Sequence, residues 1–416
     1  MIKTAFTCNA LRTKHFFRFL WVWVRSYKPK KLVQLCIDET ASYFGVDPNS
    51  VFLFGAARMG LYSLFMVDKS AGKDEVIVAG YTCVVVTNAI KYAGLTAVYI
   101  DVEEENLNIN PDLLRDAIND NTQAIIFTHN YGITCEYIED FKRDFPGIMI
   151  IEDAAHTFGS VDKHGRKAGT LGNASFFSLE YSKPLTSGTG GIILVNDEDL
   201  RKRLAEYYDK LPYFPWMANF RILLSLKIHL FSSSRCNAFL KKWMTGGLYI
   251  TGLLYKSPPA ELQGEMPKNY PVKLSPYFAY LVYLQIREIE ASNQLKNSLC
   301  EKYAQTLEDI PGIRQYYSNR YNFVRYPVLF ESSVPMEKIN AIKAEMKRSG
   351  VVAGEWFNDV VHPKGSLRYC YIDGSCPVGE SVSERMINLP VTVHRQLNDR
   401  DFVRIREIFK THLGQK

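Results

Sequence analysis

The chain has 416 residues, 47% hydrophobic and 23% charged, with 26 Gly, 18 Pro and no internal repeat. That is enough for two domains and excludes disordered, fibrous and collagen-like classes. Its eight cysteines lie far apart with no Cys-x-x-Cys pair, so no metal or redox-pair site is expected, and reduced thiols in a cytoplasmic protein are. The net charge of +6 is local: residues 1–37 hold Lys3, Arg12, Lys14, Arg18, Arg25, Lys28, Lys30 and Lys31 and no acid, which leaves the rest at −2 and excludes a generally basic, nucleic-acid-binding body.

The basic arm, residues 1–37, carries the aromatic run His15-Phe-Phe-Arg-Phe-Leu-Trp-Val-Trp-Val24. It is far shorter than the ~20 residues a bilayer span needs. Arg18 interrupts it and no small-residue cleavage site follows, which argues against a signal peptide. Two readings stand: an amphipathic helix docked on the body, or a basic aromatic helix lying on an anionic membrane surface.

A large domain is expected over 38–257. A short helical pattern at Asp38–Phe44 leads into the apolar run Val51-Phe-Leu-Phe54, then Gly55-Ala56-Ala57, then a helical pattern over Arg58–Val67. Strand-like runs recur at Val76–Val78, Ala97–Ile100, Ala124–Phe127 and Ile148–Ile151, separated by helical patterns at Val84–Tyr92, Pro111–Ile118 and Ile138–Phe145. This alternation predicts an α/β fold with a parallel sheet and crossover helices. Asn110-Pro111-Asp112 is a helix start, a capping residue followed by Pro and an acid.

Asp153 follows the apolar run Ile148–Ile151, as an acid held at the tip of a buried strand. Lys183 follows after Ser178 and a set of aromatics, and a Gly/Thr/Ser turn succeeds it. A lysine able to condense with an aldehyde and an acid able to pair with a pyridine nitrogen are the two groups that pyridoxal phosphate (PLP) chemistry requires.

Residues 211–256 are an apolar, aromatic insertion broken below spanning length by Arg221, Lys227, Lys241 and Lys242. It is read either as packing on the body or on a partner subunit, or as a surface that touches lipid or a lipid-linked substrate. After the joint Ser257-Pro-Pro259 a smaller α+β domain is expected over 258–416. It has one long helical pattern from Pro276 to about Leu307, an apolar run at Phe323–Phe330, a helix near Met336–Ser349 and a last helix from Asp399 to about His412.

Six pieces stand in a familiar order: Val76-Ile-Val-Ala-Gly-Tyr-Thr82, Ala93-Gly-Leu-Thr-Ala-Val-Tyr-Ile-Asp101, Thr128-His-Asn-Tyr-Gly132, Ile151-Glu-Asp-Ala-Ala-His156, Gly169-Thr-Leu-Gly172, and Ser178 through Gly191. A weaker one closes the chain at Glu384-Arg-Met-Ile-Asn-Leu-Pro390. At these residues the chain resembles the DegT/DnrJ/StrS family of PLP-dependent sugar aminotransferases, of the aspartate aminotransferase fold class. The resemblance implies PLP-dependent transferase fold type I, a large domain with a mostly parallel central sheet and a smaller C-terminal α+β domain. It assigns Lys183 to the cofactor aldehyde, Asp153 to the ring nitrogen and His156 to a position beside the ring. It assigns Gly55, Ala56, Ala57 and Ser178 to the phosphate, with N–H groups at a helix start suited to an anion.

The chain departs from the family's pattern at several points. Ala56 removes a hydroxyl usual in the phosphate turn, and Arg58 either replaces that donor or points outward. Cys83 stands where an aromatic ring often covers the cofactor face. Thr189 replaces an acid before Gly190-Gly191. Asn269, in Asn269-Tyr-Pro-Val-Lys273, is the candidate for the Asn that a neighbouring subunit offers. The implied activity is transfer of an amino group from glutamate to a nucleotide-linked keto sugar for surface polysaccharide or lipopolysaccharide, by a cytoplasmic homodimer; the basic arm and the 211–256 region, not the resemblance, leave peripheral contact at the inner face of the membrane as an open alternative. A divergent PLP enzyme such as a dehydratase is a second reading, weakened because the family's sugar dehydratases carry histidine where Lys183 stands. A PLP-binding regulator without turnover is the third.

Overall fold

The computed structural model describes residues 9–25, 28–68, 72–233, 254–255, 259–393 and 397–414, the side chains of 231–233 excepted. The strands in chain order are β1 (Val51–Phe54), β2 (Glu75–Ala79), β3 (Thr82–Cys83), β4 (Thr96–Ile100), β5 (Thr122–Thr128), β6 (Met149–Asp153), β7 (Ala174–Ser178) and β8 (Gly191–Val195). All but the short β3 form a seven-stranded sheet in the order β1-β8-β7-β6-β5-β2-β4. Only β8 runs against its neighbours; the remaining pairs are parallel. β5, β6 and β8 are buried along their whole length, as near-continuous Val/Ile runs are when helices cover both faces of a parallel sheet.

Helices α3 (Ala57–Val67) and α4 (Val84–Tyr92) cover one face, where Leu61, Leu64, Phe65, Val86 and Ile90 pack on Val76, Val78, Ile126 and Ile151. On the other face, Phe127 and Ile150 share a core with Phe141 of α6 (Ile138–Asp144; α5 is Pro111–Ala117) and with the smaller layer that follows. Asn110 caps α5 as its sequence predicts, accepting from the N–H groups of Asp112 and Leu113.

The smaller layer is a three-stranded antiparallel sheet of β9 (Ile313–Gln315), β10 (Arg325–Phe330) and β12 (Met386–Pro390), ordered β12-β10-β9 and backed by helices Met336–Ser349 and Asp399–Leu413. A second link joins the two parts, because β11 (Val361–His362) pairs in parallel with β3, His362 beside Cys83.

The helical pattern expected to run unbroken from Pro276 to Leu307 is two helices, Pro276–Ile286 and Ile289–Leu307. Glu288 leaves helical geometry at φ −120°, takes an ion pair from Lys14 at 2.7 Å and lies 3.2 Å from the His15 ring, whose pKa burial lowers. A tertiary contact with the arm thus sits at the break. The first of these helices packs on the large sheet's side of the molecule, where Phe278, Leu281 and Val282 share a cluster with Phe16, Phe19, Cys36 and Leu53.

The described part of the arm is α1 (Thr13–Val24), followed by α2 (Pro29–Phe44), which runs through position 37. Phe16, Phe19 and Val22 are buried, Phe19 stacks on Phe278 at 5.5 Å and Trp23 on Tyr277 at 5.5 Å. Phe17 and Trp21 remain exposed. After α7 (Glu198–Asp209) the insertion begins with α8 (Trp216–Ser233), which buries Ile222 and Leu226 on the body while Trp216 stays exposed. Apart from Leu254 and Tyr255, the second apolar stretch from Trp243 lies outside the described residues. No described helix is long and apolar enough to cross a membrane. The described cysteines, Cys36, Cys83, Cys135, Cys300, Cys370 and Cys376, are free thiols.

Candidate active site

The C-terminal ends of the parallel strands deliver the site. β6 ends at Asp153 and β7 at Ser178, so the carboxylate and the hydroxyl emerge side by side from adjacent strands. Both line a cavity of about 670 Å³ with Ala56, Ala57, Arg58, Cys83, His156, Lys183 and Thr189. That volume suits a cofactor-sized ligand.

Lys183 stands on the loop between β7 and β8, and that loop is fixed along its length. Ser187 N–H and Thr186 Oγ1 both donate to Leu179 O, and Gln285 clamps Thr186 by accepting from its N–H at 3.1 Å and donating to its carbonyl at 2.7 Å. Gln285 is fully buried on the helix Pro276–Ile286. The Lys183 Nζ lies 4.5 Å from the centre of the Trp356 ring.

Asp153 is almost wholly buried. Burial pushes its pKa up to about 6, while the Ala155 N–H, Lys183 and His129 pull it back. A fixed cation beside it would restore the charged form. Its neighbour Glu152 points to the other side. Its carboxylate accepts from Gly169 N–H at 2.7 Å, Leu171 N–H at 2.6 Å, Gly172 N–H at 2.7 Å and the His129 ring at 3.0 Å. Burial disfavours that charge, yet His129 and the backbone donors hold its pKa below the ordinary glutamate value. The Glu152-Asp153 pair and the Gly169–Gly172 motif are therefore one device, in which the first acid pins the loop and the second faces the cavity.

His156 Nδ1 accepts from the Tyr131 N–H at 3.1 Å, so the ring proton sits on Nε2. Burial, then Lys183 and Arg325, hold its pKa well below the ordinary value, and the ring is neutral. Tyr131 has a left-handed backbone, φ +59°, and its hydroxyl joins Tyr81 at 2.7 Å and accepts from Phe357 N–H at 2.8 Å. It ties the histidine to the Trp356–Phe357 wall of the smaller layer.

The start of α3 also lines the cavity, at Ala56, Ala57 and Arg58. The first N–H groups of a helix have no acceptor within it and carry its positive dipole end. Thr189 Oγ1 donates to Gly55 O at 2.8 Å, and the Gly55 N–H donates to Val272 O at 2.8 Å. Gly191 runs so close that a Cβ there would lie 2.3 Å from Ala57 Cα and 2.4 Å from Ala57 N. Arg58 does not point outward; its guanidinium grips the buried Glu261 carboxylate, with Nη2 to Oε2 at 2.8 Å. Cys83 lines the cavity, its thiol pushed up by burial.

Of the residues singled out from the sequence, Lys183, Asp153, His156, Ser178, Ala56, Ala57 and Cys83 all line this one cavity. Gly55 lies directly before them, under the Phe214 ring. Asn269 is exposed and is not among the lining residues of its own chain. Glu261, Arg325, Trp356, Phe357 and His362, which no sequence motif marks, also line the cavity. Trp356 has Lys183 4.5 Å and Arg325 4.3 Å from its ring centre. Burial, then Arg325 and Lys183, push the His362 pKa down to about 3, so it adds no charge. The amine, the buried acid and the helix start fit the aldehyde, ring nitrogen and phosphate of PLP.

The sequence pattern of the DegT/DnrJ/EryC1/StrS aminotransferase family matches residues 54–409. GDP-perosamine synthase of Escherichia coli O157:H7 is 36% identical over 196 residues, 43% of this chain and 53% of that protein. The dTDP-4-amino-4,6-dideoxy-D-glucose transaminase of Escherichia coli is 24% identical over 89% of this chain and 87% of its own. Helicobacter pylori PseC, an aminotransferase involved in the biosynthesis of pseudoaminic acid, superposes with a TM-score of 0.73 at 17% identity and full coverage of both chains. Escherichia coli GDP-4-keto-6-deoxy-D-mannose-3-dehydratase does so at 0.72 and 16%, covering 99% of this chain and 100% of its own. Backbone likeness alone therefore does not separate amination from dehydration. The family pattern spans the sheet, the lysine loop and the smaller layer together, and the chain belongs to the DegT/DnrJ/EryC1/StrS aminotransferase family.

Proposed function

We propose that this aminotransferase uses PLP to move an amino group from glutamate to a nucleotide-linked keto sugar destined for surface polysaccharide or lipopolysaccharide. The observation that carries the reading is the convergence of Lys183, Asp153 and the start of α3 on one cavity. The relatives' names, GDP-perosamine synthase and a dTDP-sugar transaminase, support the substrate class.

Bound PLP supplies an electron sink for the carbanion formed when a proton leaves the amine-bearing carbon. In our reading, Lys183 Nζ holds the cofactor through its aldehyde and then carries that proton from one face of the substrate carbon to the acceptor carbon. The Asp153 carboxylate keeps the ring nitrogen protonated. Neutral His156 and Cys83 bound the space beside the ring, and the N–H groups of Ala57 and Arg58 with the Ser178 hydroxyl hold the phosphate. Arg325, reaching in from β10, makes the substrate side cationic, which suits the carboxylates of glutamate or the diphosphate of a nucleotide sugar. We place the enzyme in the cytoplasm as a homodimer, with peripheral contact at the inner face of the membrane.

Purified protein supplied with PLP and glutamate should convert at least one nucleotide keto sugar to the amino sugar, read by mass spectrometry across a panel. Borohydride reduction of the loaded protein should fix the label on Lys183. Label on another lysine overturns the site, and loss of water from the sugar without gain of nitrogen moves the protein to the dehydratase branch.

A further inference from the structure

Helix α1 is apolar on two sides. The inner side is accounted for, since Phe16, Phe19 and Val22 are buried and Trp23 stacks on Tyr277. The outer side carries Phe17, Trp21 and Val24 at the i, i+4, i+7 spacing of a single stripe, and they are 64%, 54% and 74% exposed. A helix that only docks on a body needs one such stripe.

The residues around the outer stripe are cations. Lys14 and Arg18 are exposed on the same helix, Arg25 is exposed at its C-terminal cap, and Lys28, Lys30 and Lys31 are exposed at the start of α2. Lys14 is partly neutralised by Glu288 at 2.7 Å, and the Arg25 guanidinium lies 4.5 Å from the Trp21 ring centre. No acid occurs before Asp38. A short helix with Trp and Phe on its outer face and Lys and Arg beside them, too short to span, has the composition of an interfacial helix lying in the plane of a bilayer surface. Its charge selects anionic headgroups.

We infer that the outward stripe Phe17–Trp21–Val24 is a docking surface for an anionic phospholipid bilayer. The aromatics enter the headgroup layer, and Arg18, Arg25, Lys28, Lys30 and Lys31 contact its phosphates. Anionic lipid fits this face better than a second copy of the chain does. An isologous pairing of stripes would bring two acid-free cationic arms together, which repels. The contact does not depend on the transaminase reading and stands or falls separately from it.

The test is co-sedimentation of the full-length protein with vesicles of equal parts phosphatidylglycerol and phosphatidylcholine, and with vesicles of phosphatidylcholine alone. Binding to the anionic vesicles is expected, weakened by salt and absent on the neutral ones. The double variant Arg18→Glu/Arg25→Glu should bind at least about twenty-fivefold more weakly, since each cation lost contributes about a factor of five at such a surface. The double variant Phe17→Ser/Trp21→Ser should also lose binding. All four positions are exposed, so both variants should keep the wild-type unfolding temperature and mass in solution. No binding to anionic vesicles at low salt overturns the inference. So does undiminished binding by both variants. A lower mass in solution for Phe17→Ser/Trp21→Ser assigns the stripe to a second copy and overturns it too.

Discussion

Asp153 is held in a state that suits a cavity with a cationic partner, such as the ring nitrogen of the proposed PLP, better than an empty one. Burial raises its pKa to about 6, and the Ala155 N–H, Lys183 and His129 pull only partly against it. The folded value lies above the unfolded one near 4, so folding favours the protonated acid. The stability this contributes is complete below about pH 4 and is lost as pH rises through about 6. At pH 7 to 8 the PLP-free protein therefore carries a strained carboxylate. Asp153→Asn should raise the stability of the PLP-free protein there by up to about 3 kcal/mol, measured by thermal unfolding, while slowing transamination greatly. Added PLP should stabilise the wild type more than the variant, because only the carboxylate gains a cationic partner. Equal stabilisation of both by PLP would demote Asp153 to a structural acid. Lys183 and Asp153 stood out in the sequence because PLP chemistry admits few residue types and both sit beside apolar runs or a turn, and the structure brings both to one cavity. Trp356, Arg325 and His362 did not stand out, because they reach the cavity from loops and strands whose spacing carries no local mark.

At the scale of elements, the parallel strands and their helices followed from alternating apolar runs and caps, and Asn110 performs the role its type predicts. β7 and β8 were harder to see. Their pairing spans the lysine loop, and their alignment, Ser178 opposite Gly191, depends on tertiary closure more than on local periodicity. Gly191 shows what that closure demands. It lets β8 pass against the first residue of α3, where an added Cβ would meet backbone atoms of Ala57 that no side-chain rotation can relieve. Gly191→Ala should cost about 1–3 kcal/mol by overpacking and push the start of α3 out of place. PLP affinity, titrated by its visible absorbance, should fall by about tenfold or more as the N–H groups move off the phosphate position. Unchanged affinity would show that the α3 start does not hold the phosphate. The broken helix at Arg287–Glu288 belongs to the same class of failure, since its helical pattern is continuous and the break coincides with a tertiary contact to α1.

For the whole molecule, the sequence division at 258 and the packing suggest different seams. Phe278, Ile286 and Ile289 belong with α1 and α2, whereas Leu299, Tyr303 and Leu307 belong with the smaller sheet. We propose that the mechanical division falls within the helix Ile289–Leu307, so that the clamp Gln285 stays with the lysine loop it holds. Asn269 then lies on the large-domain side, exposed and outside its own chain's cavity, where a two-fold partner could receive it. An isologous dimer would give each cavity the other chain's Asn269. This predicts complementation. Lys183→Ala lacks the amine assigned to the cofactor aldehyde in the proposed function and is expected to be inactive, and Asn269→Ala is expected to be impaired in cofactor binding. In mixed dimers the Asn269→Ala chain keeps its Lys183 and borrows Asn269 from the Lys183→Ala chain, so one cavity per mixed dimer is complete. Co-refolding the two variants in equal amounts should restore roughly a quarter of the wild-type activity per chain, given random pairing into two-fold dimers. Mixtures no more active than the sum of the separate variants would show that Asn269 does not cross between subunits. A fully active monomer by light scattering would remove the dimer altogether.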